Sequence, residues 1–366
     1  MAADGRMRRV GVLTAGGDCP GLNAVIRAFV TTASAHYDWE IVGILDGFEG
    51  LLMPNGVRVL DDDQVRGIVS HGGTVLGTSN RCNPFAIREM VDGELCIVDR
   101  SADVLARLKE LEIGALVVIG GDGSMNIGLR LQKLGVPVVG VPKTIDNDLA
   151  ATDVTFGFDT AVSTATDAID RLRSTAEAHH RVMIVEVMGR DAGWIALEAG
   201  LAGGGDVILI PEIPFQIDRV ASAIQERGSR GRSFSIIVIA EGAYPVGGAP
   251  ITQKRVGPDG FVRLGGVGVW LAEELSERIS YEVRATVLGH VQRGGSPTAF
   301  DRVLATRLGC AAAWLVGQGD FGKMVAVRGL EIVPVTLEDA VRTSKRVPPA
   351  GDRVMTARYL GISFGD

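Results

Sequence analysis

Short apolar runs that end in glycine or polar residues, each leading into a helical pattern, constrain the fold of this chain most. They include residues 9–14, 40–45, 115–119, 137–141, 182–187, 207–210 and 235–240. Runs this apolar suit strands buried on both faces of a mostly parallel sheet. The segments between them read as helices. One starts at Asp159, expected to be its N-cap, and places Ala161, Ala165, Ala168, Ile169 and Leu172 on one face. Another is expected from about 265 to 280. Repeated strand–helix alternation argues for doubly wound α/β sheets. Residues are 46% apolar but only 5% aromatic, with 49 glycines, which fits strands separated by glycine-rich turns better than a helical bundle. A length of 366 residues allows two compact domains or one large one. Residues 244–260, rich in proline and glycine, read as a surface excursion.

Charge and termini narrow the function classes. Net charge is −7 and no long basic block appears, which argues against nucleic acid as a partner. The first residues lack the apolar core of a secretory signal. The apolar runs fall far short of the roughly 20 residues a membrane span needs. Cys19, Cys82, Cys96 and Cys310 form no C-x-x-C pair, so neither a zinc site nor a disulfide framework is signalled. A reduced, cytoplasmic compartment is the expectation.

Five stretches could handle phosphate. In 10–27 a strand runs into Gly16-Gly17-Asp18, and Pro20-Gly21 opens a helix; glycines let backbone N–H groups approach an anion. An ordinary strand–helix turn satisfies that pattern equally. In 115–128 a buried strand ends in Gly120-Gly121-Asp122-Gly123-Ser124, where Asp122 offers a hard oxygen suited to Mg²⁺. A capped tight turn is the plain alternative. In 143–148, Lys143 precedes Asp146 and Asp148; phosphoryl transfer to an alcohol needs a base and positive charge, although a solvated polar loop fits as well. Residues 182–197 carry Arg190 and Asp191 after a glycine. Residues 284–302 collect Arg284, His290 and Arg293 before Gly-Gly, and arginine forks match phosphate oxygens. Cys19 has no neighbour in sequence that reads as its base.

Together these stretches resemble the phosphofructokinase family. TAGGDCPGLNAVIR, GGDGS, PKTIDND, FGFDTA, EVMGRDAGWIAL and LGHVQRGGSPTAFDR stand in the family's order over residues 10 to about 307. The resemblance implies two doubly wound, Rossmann-like lobes with the active site between them. A nucleotide lobe would hold 1–157 plus about 292–342, and a sugar phosphate lobe about 158–291 plus 343–366. It implies Asp146 as the base that takes the 1-hydroxyl proton of fructose 6-phosphate. Thr144 and Asp148 would hold that sugar end and the transferring group. Arg190 would stabilise its charge, beside Met188 and Gly189. Glu241 would bind sugar hydroxyls, and His290 and Arg293 the 6-phosphate. Arg181 and Arg284 match arginines that reach the sugar phosphate of a neighbouring subunit, usually in a homotetramer, a dimer being the alternative. On the donor side, Gly16, Gly121, Asp122, Gly123 and Ser124 match the nucleotide phosphate site, with Asp122 on Mg²⁺. Arg81 matches an arginine that spans the donor phosphates, although its flanking residues suggest a shifted loop.

Two departures from the family pattern carry information. Pyrophosphate users have aspartate after GGD and lysine in PKTIDND, whereas most bacterial ATP users have glycine at both. This chain has Gly123 with Lys143. An aspartate at 123 would fill the space and repel the charge of the ATP α-phosphate, and glycine does neither, so ATP is the expected donor. A pyrophosphate-dependent enzyme and a non-catalytic regulatory subunit are the competing readings. No G-x-G-x-x-G follows the first strand, which argues against a dehydrogenase. Arg27, Arg173, Arg230 and Arg232 fit the family's effector site, but Thr31 and Gly56 stand where regulated bacterial enzymes carry arginine. Little or no response to ADP or phosphoenolpyruvate as effectors is expected.

Overall fold

The computed structural model describes residues 7–91, 94–251 and 264–366. The chain forms two compact units. One comprises Met1–Thr144, Leu149–Gly157 and Arg293–Ser344; the other comprises Ile145–Asp148, Phe158–Gln292 and Lys345–Asp366. The chain therefore leaves the first unit inside the PKTIDND segment and returns after four residues.

The first unit carries strands β1 (Arg9–Ala15), β2 (Glu40–Ile44), β3 (Val57–Leu60), β4 (Ile87–Val91), β5 (Glu94–Val98), β6 (Ile113–Gly120) and β7 (Val138–Pro142). Its helices there are α1 (Leu22–His36), α2 (Ser101–Glu110) and α3 (Asp122–Lys133). The second unit follows with α4 (Phe158–His179), β8 (Val182–Val187), α5 (Trp194–Ala202), β9 (Val207–Leu209), α6 (Ile217–Ser229), β10 (Ser235–Ala240), α7 (Val267–Ser276) and β11 (Val283–Val287). Then α8 (Ala299–Gln318), β12 (Lys323–Arg328), β13 (Glu331–Thr336) and α9 (Leu337–Val341) return to the first unit, and α10 (Asp352–Tyr359) belongs to the second.

The first unit's main sheet has the order β13-β12-β7-β6-β1-β2-β3. The inner strands run parallel, and β3 and β13 close the two edges antiparallel. Val10, Val12 and Leu13 on β1 and Leu116 to Ile119 on β6 are fully buried, as strands covered on both faces require. The edge strands are mostly half-buried or exposed, with Leu60 buried on β3 and no position fully buried on β13, and they fell outside the apolar runs for that reason. β4 and β5 form a separate antiparallel pair.

The second unit's sheet is wholly parallel, with the order β11-β8-β10-β9. Its core joins Val182, Ile184, Ile237 and Ile239 to Phe215 and to Leu271 and Leu275 of α7. Helix α4 starts at Phe158, so Asp159 lies in its first turn and does not cap it. The expected face is present: Ala161, Ala165 and Ile169 are buried, while Ala168 and Leu172 are half-buried. Helix α7 is shorter than the expected 265–280, because a turn begins after Ser276. Of the excursion expected at 244–260, residues 252–260 lie outside the described residues; 244–251 hold turns and irregular backbone.

Candidate active site

Open parallel sheets bind ligands beyond the carboxyl ends of their strands, where the strand order reverses. In the first unit that point lies at β1 and β6, which are hydrogen-bonded neighbours although about a hundred residues separate them. The loops leaving these two strands are Gly16-Gly17-Asp18 and Gly121-Asp122-Gly123, so the two glycine loops read separately from sequence stand side by side. The PKTIDND segment leaves β7, which pairs with β6, and the Lys143 amide donates to the Gly120 carbonyl at 2.9 Å.

The three loops converge at Gly16. This residue has φ 83°, and a Cβ there would lie 3.4 Å from Lys143 Nζ and 3.5 Å from Ser124 Oγ. Both of those side chains are buried. The Lys143 ammonium donates to the Gly17 carbonyl. Arg293 Nη1 donates to the Asp18 carbonyl at 3.1 Å. Thr78 Oγ1 donates to the Gly16 carbonyl at 2.7 Å, and the Gly16 amide donates to the Ser79 carbonyl at 3.0 Å. Arg81, two residues on, is exposed, with its amide on Ser79 Oγ at 3.2 Å.

Asp122 and Gly123 open helix α3 and are exposed. Asn126 Nδ2 lies 3.3 Å from an Asp122 carboxylate oxygen. A Cβ on Gly123 would meet nothing within 4 Å, so the space beside it is open to a ligand. Cys19, buried behind the first loop, has its thiol pushed well above its ordinary range by burial, against a smaller opposing pull from Lys143. Burial therefore disfavours its thiolate form.

In the second unit, Met188-Gly189-Arg190 leaves β8, Glu241 leaves β10 and His290 follows β11, all at carboxyl ends of adjacent strands. Arg190 sits in the left-handed region at φ 51°, and its amide donates to Glu241 Oε1 at 3.1 Å. That bond ties two neighbouring loops. His290 is exposed in a short 3-10 turn, Gly289–Arg293. This turn crosses the division between the units, and Arg293 falls in the first. Arg181 and Arg284 both pair with Glu282, Arg181 at 2.6 Å. The Arg181 bond, with the nearby guanidinium charge, holds the Glu282 carboxyl below its usual range.

Asp146 is 4% exposed, and Asp148 is half-buried. Asn147 between them has φ 51°. This turn is held by Lys345, a residue that sequence reading did not select. Lys345 Nζ donates to Asn147 Oδ1 at 2.7 Å, and its amide donates to the Asp148 carbonyl at 2.7 Å. Its own carbonyl accepts from Trp194 Nε1 at 3.0 Å. Trp194 opens α5, directly after the Arg190 loop. Glu212 completes the splint by accepting from the amides of Gly193 and Val347 at 3.0 and 2.8 Å. Burial raises the Glu212 pKa, and those backbone donors partly counter it. A short stretch, 345–347, therefore fixes both the two-aspartate turn and the arginine loop. Lys345→Met is expected to lower kcat about 10–100-fold with little change in melting temperature, because small displacements of reacting groups cost that much. Steady-state kinetics beside a thermal melt checks this; a kcat within about twofold of wild type would remove Lys345 from the positioning network.

The parallel sheets, and glycines, cations and carboxylates gathered at their carboxyl ends, define a doubly wound enzyme of the phosphate-handling class. The chain belongs to the phosphofructokinase family, whose model, described as phosphofructokinase, matches residues 9–316. It is 54% identical over 361 residues to an ATP-dependent 6-phosphofructokinase of Chloroflexus aurantiacus, covering 99% of each chain. It is also 54% identical over 342 residues to a pyrophosphate–fructose 6-phosphate 1-phosphotransferase of Amycolatopsis methanolica, covering 93% of this chain and 96% of that one. Among solved structures, Pichia pastoris phosphofructokinase in the T-state superposes with a TM-score of 0.79 at 30% identity. That match covers 92% of this chain and 36% of the Pichia chain, so this chain spans about a third of its length.

Proposed function

We propose that the chain transfers the γ-phosphoryl group of ATP to the 1-hydroxyl of D-fructose 6-phosphate, giving fructose 1,6-bisphosphate and ADP. Overall identity does not choose the donor, since relatives named for either donor stand at 54%. The observation that carries the choice is the open space at Gly123, with no atom within 4 Å of a Cβ position at the start of α3. A nucleotide α-phosphate needs that space, and the helix N-terminus favours its charge. Lys143 and the Amycolatopsis relative favour pyrophosphate as the second reading.

In this reading Asp146 accepts the proton of the sugar 1-hydroxyl as that oxygen attacks the γ-phosphorus and the bond to the ADP oxygen breaks. Thr144 and Asp148 position the sugar end. Arg190, beside Met188 and Gly189, offsets the charge on the transferring group. Glu241 binds sugar hydroxyls, His290 and Arg293 take the 6-phosphate, and Arg181 and Arg284 reach that of a neighbouring subunit in a homo-oligomer, a tetramer by family analogy. Gly16, Arg81, Gly121, Asp122, Gly123 and Ser124 serve the donor phosphates.

Among the described residues no group of three or more His, Cys, Asp or Glu could hold a metal. The single carboxylate of Asp122 fits Mg²⁺ when donor phosphates supply further ligands, which is how this ion is ordinarily held at nucleotides. When bound, Mg²⁺ would neutralise donor phosphate charge. No described helix is long and apolar enough to cross a membrane. With all four cysteines free, the reading places the enzyme in the cytoplasm.

Product identification tests the reaction. Incubation with MgATP and fructose 6-phosphate should yield fructose 1,6-bisphosphate and ADP in equal amounts. Sugar phosphate binding without any bisphosphate from either donor would favour the regulatory-subunit reading.

A further inference from the structure

Three consecutive carbonyls of the first glycine loop are each taken by a side chain from a different part of the chain. Gly16 O accepts from the Thr78 hydroxyl, Gly17 O from the Lys143 ammonium and Asp18 O from the Arg293 guanidinium. All of these residues lie in the first unit. In a trans peptide the carbonyl and the following N–H point in opposite directions. Pinning the carbonyls of 16, 17 and 18 therefore turns the N–H groups of Gly17, Asp18 and Cys19 the other way. Among the described residues those three N–H groups meet no hydrogen-bond acceptor. Gly17 and Asp18 are half-buried and Cys19 is buried, and N–H groups in a glycine loop at the carboxyl end of a strand are natural donors to an anion.

We propose that Thr78 and Lys143, together with Nη1 of Arg293, whose remaining guanidinium donors serve the sugar 6-phosphate, clamp the carbonyls of this loop and so preset its N–H groups for the phosphoryl donor. The proposal rests on the phosphotransferase reading and assigns it a device. It gives Lys143 a task that does not depend on the donor, so its presence in a chain with Gly123 needs no pyrophosphate chemistry. It also couples the two segments flanking the β1 loop, since Thr78 belongs to the GTSNR loop and Arg293 to the VQRGG turn. Preorganisation of this kind saves ordering cost when the ligand binds, and removing one clamp should weaken donor binding selectively.

Thr78 tests the clamp, because its hydroxyl can be removed with little change of shape. Thr78→Val is expected to raise both KM for ATP and the MgADP dissociation constant about tenfold, roughly what losing one charge-free hydrogen bond costs. KM for fructose 6-phosphate should stay within about twofold, and Thr78→Ser should restore wild-type values. A merely structural role would instead move both KM values together or leave both alone. Unchanged ATP and ADP parameters in Thr78→Val at an unchanged melting temperature would overturn the proposal, as would equal rises for donor and acceptor. Should Thr78→Val not fold, Lys143→Met measured the same way must show the donor-selective loss, or the clamp is wrong. If the wild type used pyrophosphate and not ATP, the functional reading would fail separately; the clamp then stands or falls on a selective rise in KM for pyrophosphate.

Discussion

Replacing Asp146 by asparagine is expected to lower kcat by about 10²–10⁴-fold, the usual contribution of a general base. The change is isosteric and sits at a position 4% exposed, in a turn held by Lys345 and not by the carboxylate's own charge alone. Folding should survive. An amide cannot accept the hydroxyl proton but can still hydrogen-bond the sugar, so KM for fructose 6-phosphate should shift only a few-fold. Asp148→Asn serves as the internal comparison. Both aspartates flank Asn147, yet only Asp146 is given proton transfer, and the effect of Asp148→Asn should fall mainly on KM. If Asp146→Asn kept kcat within about threefold while Asp148→Asn lost it, the roles would have to be exchanged.

The second large effect concerns Gly123→Asp. Because a Cβ there meets nothing within 4 Å, the substitution itself brings no clash. An aspartate in the first turn of α3 complements the helix dipole, so stability should hold or rise slightly, by about 0.3–1 kcal/mol. The catalytic consequence runs the other way. A carboxylate in the space of the nucleotide α-phosphate sets two like charges near contact, worth about 4 kcal/mol per pair at 4 Å and an effective dielectric of 20. Even after solvent screening, kcat/KM for ATP should fall by about 10²-fold or more. The variant then combines a carboxylate at this position with Lys143, the pairing found in pyrophosphate users, and turnover with pyrophosphate is expected to appear. Kinetics with both donors on one preparation checks this. An ATP rate unaffected by the new carboxylate would show that the α-phosphate lies elsewhere.

How far the site was legible in sequence depends on what kind of constraint each residue carries. β1, β6, β8 and β10 announced themselves because strands covered on both faces are apolar at nearly every position; each residue of β8 and β10 is buried, and the charged exception, Glu186, accepts from the amides of Gly266 and Gly268. The glycine loops announced themselves through composition at strand ends. Their adjacency did not, because the pairing of β1 with β6 depends on the parallel crossover and on no local signal. The start of α4 was displaced by two residues because an acidic residue favours both the cap and the first turn, and here Asp159 took the latter. Thr78, Lys345 and Glu212 stayed invisible for a simpler reason. Apart from the Lys345–Asn147 side-chain bond, each works through backbone carbonyls or amides, and such partners leave no pattern in the identity of neighbouring residues. Lys143 was visible, but its contact with the Gly17 carbonyl was not.

The chain phosphorylates fructose 6-phosphate from ATP, and a comparison of donors tests this. The most direct measurement is kcat/KM of the purified wild type for ATP and for pyrophosphate, with fructose 6-phosphate and Mg²⁺ saturating. Efficient turnover with ATP, and far weaker or none with pyrophosphate, is the predicted result. Turnover with pyrophosphate and none with ATP would contradict it.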